Sequence, residues 1–409
     1  MSRATLKPVV SELRKSIIKG LAGKLEKYGF DEKGALTTSK PLSEYDENIK
    51  NNIEALFKAK NINNTERYVE FIHNSSRTFS HILICFKLME KRGIMKTLLE
   101  KVIGTDIYSE IIPDFISVNS IAYDDFVEQY HEEIEELCEI DNNEEDIEYY
   151  QFLRLIEILA SEMAEDVPLL FKEYEFNMVK PDFDDLKEIM RIISKIPNDE
   201  YFEDDFLGWI YQYWVDTNES EIEEGEKDRY ISYANEVYYQ VLTLLDAEQT
   251  EFGEFYTPRW VVKNVVDNTI SSFREKNNKD VENIRVLDPA CGAGNFLVYA
   301  FDALLELYNK EHGDWSEEKK VTTILEKNIY GIDVQREPLQ ITALNLWIKA
   351  KSYIMNAKVE RLNLFNVNVL MANSLFPWET EEEYRQISIW DTPETLAERR
   401  YTSEDIGRF

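Results

Sequence analysis

The sequence predicts a mainly α-helical domain over residues 1–250, followed over 251–409 by an α/β domain with an incomplete parallel sheet. Residues 6–245 show long amphipathic patterns with few glycines, which are typical of packed helices. Residues 284–288 then form a short apolar run that ends in an acid, and a glycine-containing turn joins this run to a helical pattern. Later apolar runs at 329–333 and 367–371 alternate with helical patterns, which favours three parallel strands. Residues 336–347 predict an amphipathic helix with Pro338 in its first turn.

Apolar stripes predict the helices of the first domain. Apolar residues recur at three- and four-residue steps along 9–21, 68–86 and 149–163, as the buried face of a helix requires. The aromatic run 206–214 has the same spacing, and we expect Phe206, Trp209 and Tyr213 to form a packed stripe rather than a base-stacking surface. Loops are predicted at 61–64, 141–146 and 217–227.

Charge is distributed unevenly along the chain. Residues 121–230, which we expect to form an acidic subdomain, hold 35 Asp and Glu against 8 Lys and Arg, a balance of −27 out of the net −33. Such a surplus is typical of solvated helix faces or loops, and it would repel the phosphate backbone of DNA. Mimicry of DNA is the alternative interpretation. Residues 3–27 have seven Lys and Arg to two Glu, which favours a docked bundle helix, with a phosphate or protein contact as the alternative.

Composition narrows the function classes. Hydrophobic residues make up 44% of the 409 residues, enough for substantial cores. No run of about eighteen apolar residues could span a bilayer, and the first residues lack the apolar core of a secretory signal. The three cysteines are far apart, as in reduced proteins, and neither Cys-x-x-Cys nor His-Glu-x-x-His occurs. We therefore expect a cytoplasmic protein with no membrane span and no metal site.

The turn at residues 287–297 is the most informative functional feature. Gly292 and Gly294 can adopt positive φ and let the backbone approach a ligand closely, and the following helix begins with free N–H groups that suit an anionic group. A dinucleotide-dependent oxidoreductase would also place glycines after a strand. However, Leu297 stands where Gly-x-Gly-x-x-Gly/Ala has its third small residue, and Asp288-Pro289 is foreign to that pattern. A strand-to-helix turn without a ligand is the other alternative.

At these residues the chain resembles a family. Residues 288–297 read Asp-Pro-Ala-Cys-Gly-Ala-Gly-Asn-Phe-Leu and resemble the S-adenosylmethionine-binding motif of adenine-N6-specific DNA methyltransferases. The Phe-Tyr-Thr-Pro segment at 255–258 resembles their cofactor-capping motif, in the gamma-class order that type I and fused restriction-modification enzymes share. Residues 77–93 and 206–213 are similar to helical signatures of BREX antiviral-defence methyltransferases. The resemblance runs from about Arg77 to Trp378.

This resemblance implies a Rossmann-like, S-adenosylmethionine-dependent methyltransferase core, with S-adenosyl-L-methionine as cofactor and DNA as substrate. Asp333 ends a strand-like run where a nucleoside-binding sheet needs an acceptor for ribose hydroxyls; its alternative role is to cap the next helix. The family usually has an Asp at the position of Asn373, which accepts from the adenine amino group, so we expect weaker binding here; an ordinary polar strand end is the alternative. The candidate cofactor-binding residues are Phe255, Tyr256, Thr257, Pro258, Asp288, Pro289, Ala290, Gly292, Gly294, Asn295, Phe296, Asp333 and Asn373.

The catalytic motif of the family is missing from the sequence. These enzymes hold the flipped adenine with an Asn-Pro-Pro-aromatic loop, whereas all eleven prolines here are isolated and Asp391-Thr392-Pro393 is the nearest imitation. We therefore assign no catalytic residue, and we expect the chain alone not to methylate DNA. Only 31 residues follow Trp378, too few for the remaining strands of the sheet. We therefore expect a fragment or a split subunit, with a protein partner that supplies those strands and target recognition. The alternative is that the Arg-rich segment 385–408 covers the open edge of the sheet.

Two functions of different classes remain open. The first is the S-adenosylmethionine-binding portion of a site-specific adenine-N6 DNA methyltransferase from a phage-defence or restriction-modification system. The second is a non-catalytic, cofactor-sensing or scaffold subunit of a defence complex, acting through its helical domain and acidic face. An Asn-Pro-Pro-aromatic reading frame directly downstream in the genome would favour the first.

Overall fold

The computed structural model describes residues 5–37, 41–42, 44–94, seven positions between 153 and 164, 178–217, 232–252, 257–277, 280–354, 368–372 and 374. Within these ranges the N-terminal part is mostly helical, and a small parallel sheet with flanking helices follows it, as the sequence predicts. The predicted loop at 141–146, most of the loop at 217–227 and most of the acidic segment lie outside the described residues. The domain boundary at residue 250 stays a prediction.

The N-terminal helices assemble around the first of them. Apolar side chains at three- and four-residue steps, such as Leu13, Ile17 and Leu21, are fully buried along it, which confirms that the basic segment docks as a bundle helix. Arg14 is buried among them and donates from Nη1 to the carbonyl oxygen of Trp214, 2.5 Å away. The helices of this region whose bounds lie in the described ranges are α1 (Leu6–Lys27), α2 (Glu44–Lys60), α3 (Thr65–Lys91), α4 (Phe183–Ile193), α5 (Phe206–Val215) and α6 (Tyr233–Phe252). Of these, α3, α4, α5 and α6 pack against α1.

Local chemistry sets the helix boundaries as expected at the predicted loop 61–64. Asn64 has an extended backbone, and its side-chain oxygen accepts from the Arg67 N–H at 2.9 Å, which caps α3. Asn61 adopts φ 54°, a left-handed conformation that asparagine tolerates better than most residues. Together they confirm the loop between α2 and α3.

The aromatic helix α5 packs through the predicted stripe and through more than that stripe. Phe206 is buried, and Trp209 and Tyr213 are partly buried against the core with their ring centroids 5.3 Å apart. The prediction of packing is therefore confirmed. The other residues of α5 that are buried with Phe206 are Leu207, Gly208, Ile210, Tyr211, Trp214 and Val215.

The C-terminal part contains three parallel strands in the order β1-β2-β3. Val286 pairs with Ile329, and Asp333 pairs with Met371. Among the described residues β1 pairs with β2 alone, and its Leu287 is 46% exposed. The elements are α7 (Arg259–Asn277), β1 (Val286–Asp288), α8 (Asn295–Glu311), α9 (Glu317–Thr323), β2 (Ile329–Asp333), α10 (Arg336–Ile354) and β3 (Asn368–Met371).

A glycine in β2 allows close packing between the sheet and α8. A Cβ added to Gly331 would lie 2.8 Å from Cδ1 of Leu297 and 3.0 Å from Sγ of Cys291. Such contacts are tighter than side chains tolerate, so only glycine lets the turn before α8 lie against the strand.

Helix α10 differs from its prediction. The sequence indicates an amphipathic helix, yet an unbroken run of buried residues extends from Pro338 to Ala350. The physical reason is that α10 contacts β2, β3 and α8 in the α/β part and also α5 of the helical region. A helix covered on all sides keeps its polar residues only where they find partners.

Candidate functional site

The predicted turn lies between the carboxyl end of β1 and the first turn of α8. Asp288 ends the strand, Pro289 and Ala290 form an exposed turn, and α8 begins at Asn295. The Gly294 N–H donates to the Cys291 carbonyl oxygen at 2.8 Å, and the Gly294 carbonyl accepts from Val298 at 2.8 Å, the first hydrogen bond of the helix. Phe296 is partly buried against the core.

The two glycines of the turn have positive φ for different reasons. Gly292 has φ 51° and Gly294 has φ 83°. A Cβ on Gly294 would lie 2.8 Å from Oγ1 of Thr342, so this glycine is required by packing. A Cβ on Gly292 would meet no atom within 4 Å, so this glycine borders open space. Gly292 is therefore the position where the turn leaves room for a ligand to approach the backbone.

The turn is tied to the end of β2 through its backbone. The Cys291 N–H donates to the Ile332 carbonyl oxygen at 2.9 Å, and the Gly292 N–H donates to Oδ2 of Asp333 at 2.8 Å. The other carboxylate oxygen of Asp333 accepts from the Gln335 N–H at 2.9 Å. A carboxylate oxygen can accept two hydrogen bonds, so Asp333 keeps acceptor capacity for further donors. The alternative N-capping interpretation of Asp333 is met only in part, because one of its two bonds is to the glycine turn.

Asp288 is the second carboxylate of the site. Its Oδ1 accepts from the Ala290 N–H at 3.2 Å, whereas its Oδ2 is buried and has no hydrogen-bond partner among the described residues. Burial raises the pKa of the Asp288 carboxyl, the hydrogen bond from Ala290 opposes this rise, and the nearby charge of Asp333 adds to it. A buried acceptor without a partner is costly in a folded protein, and a donor on a bound ligand would offset this cost.

Two residues of α10 that sequence reasoning missed hold the turn from the other side. The Thr342 hydroxyl donates to the Gly292 carbonyl oxygen at 2.7 Å, and Nδ2 of Asn345 donates to the Ala293 carbonyl oxygen at 3.1 Å. Their three-residue spacing places both on one face of α10. This spacing is the signal that could have found them, since two polar residues within an otherwise apolar stretch need partners.

The segment before α7 contributes two further predicted residues. The Pro258 carbonyl oxygen accepts from the Val261 and Val262 N–H groups, so the proline precedes the first turn of α7. Thr257 and Asn295, both predicted from the sequence, line one small pocket with residues of the helical region. The other residues lining this pocket are Asp204, Asp205, Arg259, Val262, Val298 and Tyr299. Phe255, Tyr256 and Asn373 lie outside the described residues.

Cations neutralise the acidic side of this pocket. Arg259 bonds Glu203 and Asp204, each at 3.2 Å, and Lys349 of α10 bonds the other oxygen of Asp204 at 2.9 Å. The helical region therefore contacts the α/β part next to the first turn of α8. Within the described ranges no cluster of His, Cys, Asp and Glu is arranged to hold a metal ion, and no described helix is long and apolar enough to cross a membrane.

Comparison with known proteins identifies relatives of this region. Residues 265–377 match the family model "MmeI, DNA-methyltransferase domain". Adenine-specific methyltransferase PglX of Lacticaseibacillus casei is 26% identical over 222 residues, which cover 45% of this chain and 17% of that protein. Adenine-specific methyltransferase BrxX of Escherichia coli O9:H4 is 23% identical over 222 residues, with the same two coverages. The methylase subunit of the type I restriction enzyme EcoEI of Escherichia coli is 32% identical over 111 residues, 27% of this chain and 19% of that subunit.

The chain is thus a distant homologue of adenine-specific DNA methyltransferases over about 45% of its length, and it spans less than a fifth of these relatives. The family match includes the glycine turn, Asp333 and α10, and it begins after Thr257 and Pro258. Among solved structures, a cryo-EM structure of a DrdV–DNA complex aligns with 80% of this chain and 27% of its own, at 17% identity. Its TM-score of 0.27 is too low to indicate a shared arrangement.

Proposed function

We propose that this chain carries the S-adenosylmethionine-binding portion of a site-specific adenine-N6 DNA methyltransferase of a phage-defence or restriction-modification system. One observation carries the proposal. At Gly292 the backbone has positive φ beside open space, and its N–H donates to the carboxylate of Asp333 in a region homologous to DNA-methyltransferase domains. The names of the relatives support adenine in DNA as the target.

The residues present fit the cofactor. Asp333 ends a strand beside the turn and has acceptor capacity for the two ribose hydroxyls. The unpartnered Oδ2 of Asp288 would accept from a donor on the ligand. Open space at Gly292 lets the ligand reach the backbone, and the positive end of the α8 dipole favours an anionic group such as the methionine carboxylate. When bound, the cofactor supplies a methyl group on a sulfonium, which an adenine amine can displace without a covalent enzyme intermediate.

We further propose that methyl transfer requires a catalytic segment that these 409 residues do not contain. They have no adjacent prolines and hence no Asn-Pro-Pro-aromatic loop to hold a flipped base. That segment, on the same polypeptide or on a protein partner, would supply this loop, the remaining strands and the residues that read the target sequence. The residues described here then bind and orient the cofactor.

The decisive experiment is calorimetric titration of the purified chain with S-adenosylmethionine, comparing Gly292→Ala with the matched control Gly23→Ala. At both positions an added Cβ would meet no protein atom within 4 Å, but only Gly292 has positive φ and borders the proposed ligand. We expect the unaltered chain and Gly23→Ala to bind alike and Gly292→Ala to bind about tenfold more weakly or worse, because its methyl group enters the ligand's space and its φ is strained. Absence of binding by the unaltered chain would overturn the proposal.

The missing catalytic motif favours a second candidate, a cofactor-sensing or scaffold subunit of a defence complex. Such a subunit would bind S-adenosylmethionine and would not restore methylation when mixed with the product of a neighbouring gene that carries an Asn-Pro-Pro-aromatic motif. Reconstitution of activity by such a pair would support the enzyme and exclude the scaffold.

A further inference from the structure

Helix α10 connects the helical region to the glycine turn. It contacts α5 of the helical region as well as β2, β3 and α8, and it is buried along most of its length. A helix confined on all sides moves as a unit, because interiors are close-packed and transmit displacement. Whatever fixes the position of α10 therefore also fixes the side chains that α10 extends toward the turn.

An ion pair from the helical region holds the first turn of α10. Nη2 of Arg77, on α3, donates to Oε1 of Glu337 at 2.5 Å across 260 residues of sequence, and the same nitrogen lies 2.9 Å from Oδ1 of Asn74. The side chains of Arg77 and Glu337 are only 10% and 24% exposed. An acid in the first turn of a helix is also favoured by the helix dipole. A charge-assisted bond with this little exposure to water is stronger and more directional than a surface pair.

The same helix carries the two side chains that bond to the turn. Thr342 is five residues beyond Glu337, roughly 7.5 Å along the axis, and its hydroxyl donates to the Gly292 carbonyl oxygen. Asn345 donates to the next carbonyl, that of Ala293. Arg77 is thus connected to the glycine turn in three steps. It bonds Glu337, Glu337 belongs to α10, and α10 carries the Thr342 and Asn345 side chains that bond the turn.

We propose that Arg77 is a positioning residue through which the helical region sets the geometry of the glycine turn, by holding Glu337 and with it the helix that bears Thr342 and Asn345. This inference rests on the proposed function for its consequence, which is the affinity for S-adenosylmethionine. The structural part of the inference is that Arg77 orders the turn, although it lies more than 200 positions away in sequence. This part does not depend on the cofactor.

The first test measures hydrogen exchange of the cofactor-free chain at residues 289–297 in Glu337→Gln and in the matched control Asp182→Asn. Asp182 accepts from Lys24 of α1 in another ion pair, in which the side chains of Lys24 and Asp182 are 7% and 23% exposed. Asp182 directly precedes α4 and is not part of α10. We expect faster exchange across the turn in Glu337→Gln and native exchange there in Asp182→Asn. Equal exchange across the turn in the two variants would overturn the proposal.

The second test measures S-adenosylmethionine affinity in Arg77→Gln, Arg77→Lys and Glu337→Gln. We expect Arg77→Gln and Glu337→Gln to weaken binding by roughly three- to tenfold, which is within the range for residues that act at a distance. Arg77→Lys keeps the charge and should recover part of the loss. Native affinity in all three variants overturns the inference and leaves the proposed function intact. If the unaltered chain does not bind, the proposed function fails, and the exchange measurement still decides the role of Arg77.

Discussion

At the scale of single residues, Asp333 has one task that the structure shows and a second, cofactor binding, that we propose. Its two carboxylate oxygens accept backbone N–H groups of Gly292 and Gln335, so it joins the glycine turn to the start of α10. The proposed ribose hydroxyls would use its remaining acceptor capacity. Replacing Asp333 should therefore change both the stability of the fold and the affinity for the cofactor. Replacing a residue that only contacts the cofactor should change the affinity alone.

Asp333→Ala should therefore weaken S-adenosylmethionine binding and also lower the midpoint temperature of unfolding. The loss in binding should be about 1.5–3 kcal/mol, the range for hydrogen bonds to a charged group. Asp333→Asn keeps an acceptor oxygen for one N–H group and should fall between the unaltered chain and Asp333→Ala. Calorimetric titration and thermal melts of the three proteins measure both effects. Unchanged affinity in Asp333→Ala would remove this residue from the site.

Asp288→Asn tests how much the buried charge of Asp288 destabilises the fold, because this destabilisation should depend on pH. Burial raises the pKa of Asp288 above the ordinary value of 3.8 in the folded chain. The folded state thus holds this proton more tightly than the unfolded state, so stability is lost as pH rises from the unfolded pKa through the folded pKa. We expect Asp288→Asn to unfold at a higher temperature than the unaltered chain near neutral pH, and this advantage should shrink as the pH is lowered toward 3.8.

Thermal melts at several pH values, with S-adenosylmethionine titrations beside them, check this expectation. Binding should weaken in Asp288→Asn even while stability rises, because the uncharged amide is a poorer acceptor than the carboxylate. An advantage in melting temperature that does not vary with pH would show that relief of charge burial is not its cause.

At the scale of elements, the sequence predicted what local chemistry determines. The bounds of β2, the positive-φ glycines and the start of α8 follow from short-range patterns around Ile329–Asp333 and Gly292. The spacing of Thr342 and Asn345 marks them as polar residues that need partners, but the identity of those partners and the all-round burial of α10 depend on contacts with distant segments. The further burial of Leu207, Ile210 and Trp214 in α5 has the same cause, because it depends on which helices pack against α5.

The packing of α10 against the turn predicts a strong coupling between Gly294 and Thr342. Gly294→Ala would place its Cβ 2.8 Å from Oγ1 of Thr342 and force an L side chain into φ 83°, so it should destabilise the fold by about 1–3 kcal/mol. In a Thr342→Ala background the contact with Oγ1 is absent and the same change should cost less. Urea unfolding of the four proteins of this double-mutant cycle measures the difference. Strictly additive effects would contradict close packing at this position.

At the scale of the whole molecule, ion pairs connect the helical region to the α/β part at two places near the candidate site. Arg77 bonds Glu337 at the start of α10, and Asp204 accepts from both Arg259 and Lys349 beside the pocket that contains Thr257.

The net negative charge of the chain disfavours contact with DNA. Of the net charge of −33, −27 belongs to residues 121–230. A binding site for a small ligand is compatible with this charge, whereas phosphate backbones are repelled by it.

The last prediction is that the purified chain binds S-adenosylmethionine but does not transfer its methyl group to DNA. The sequence contains no Asn-Pro-Pro-aromatic loop, and its net charge of −33 disfavours association with DNA. Tritium-labelled cofactor and mixed-sequence DNA should yield no label above background, even at low salt, where electrostatic effects are largest and a weak basic contact would be strengthened. An active adenine methyltransferase in parallel reactions verifies the assay. Label at adenine N6 that depends on this chain would mean that its sequence contains a catalytic loop of another type, and the need for a further catalytic segment would have to be withdrawn.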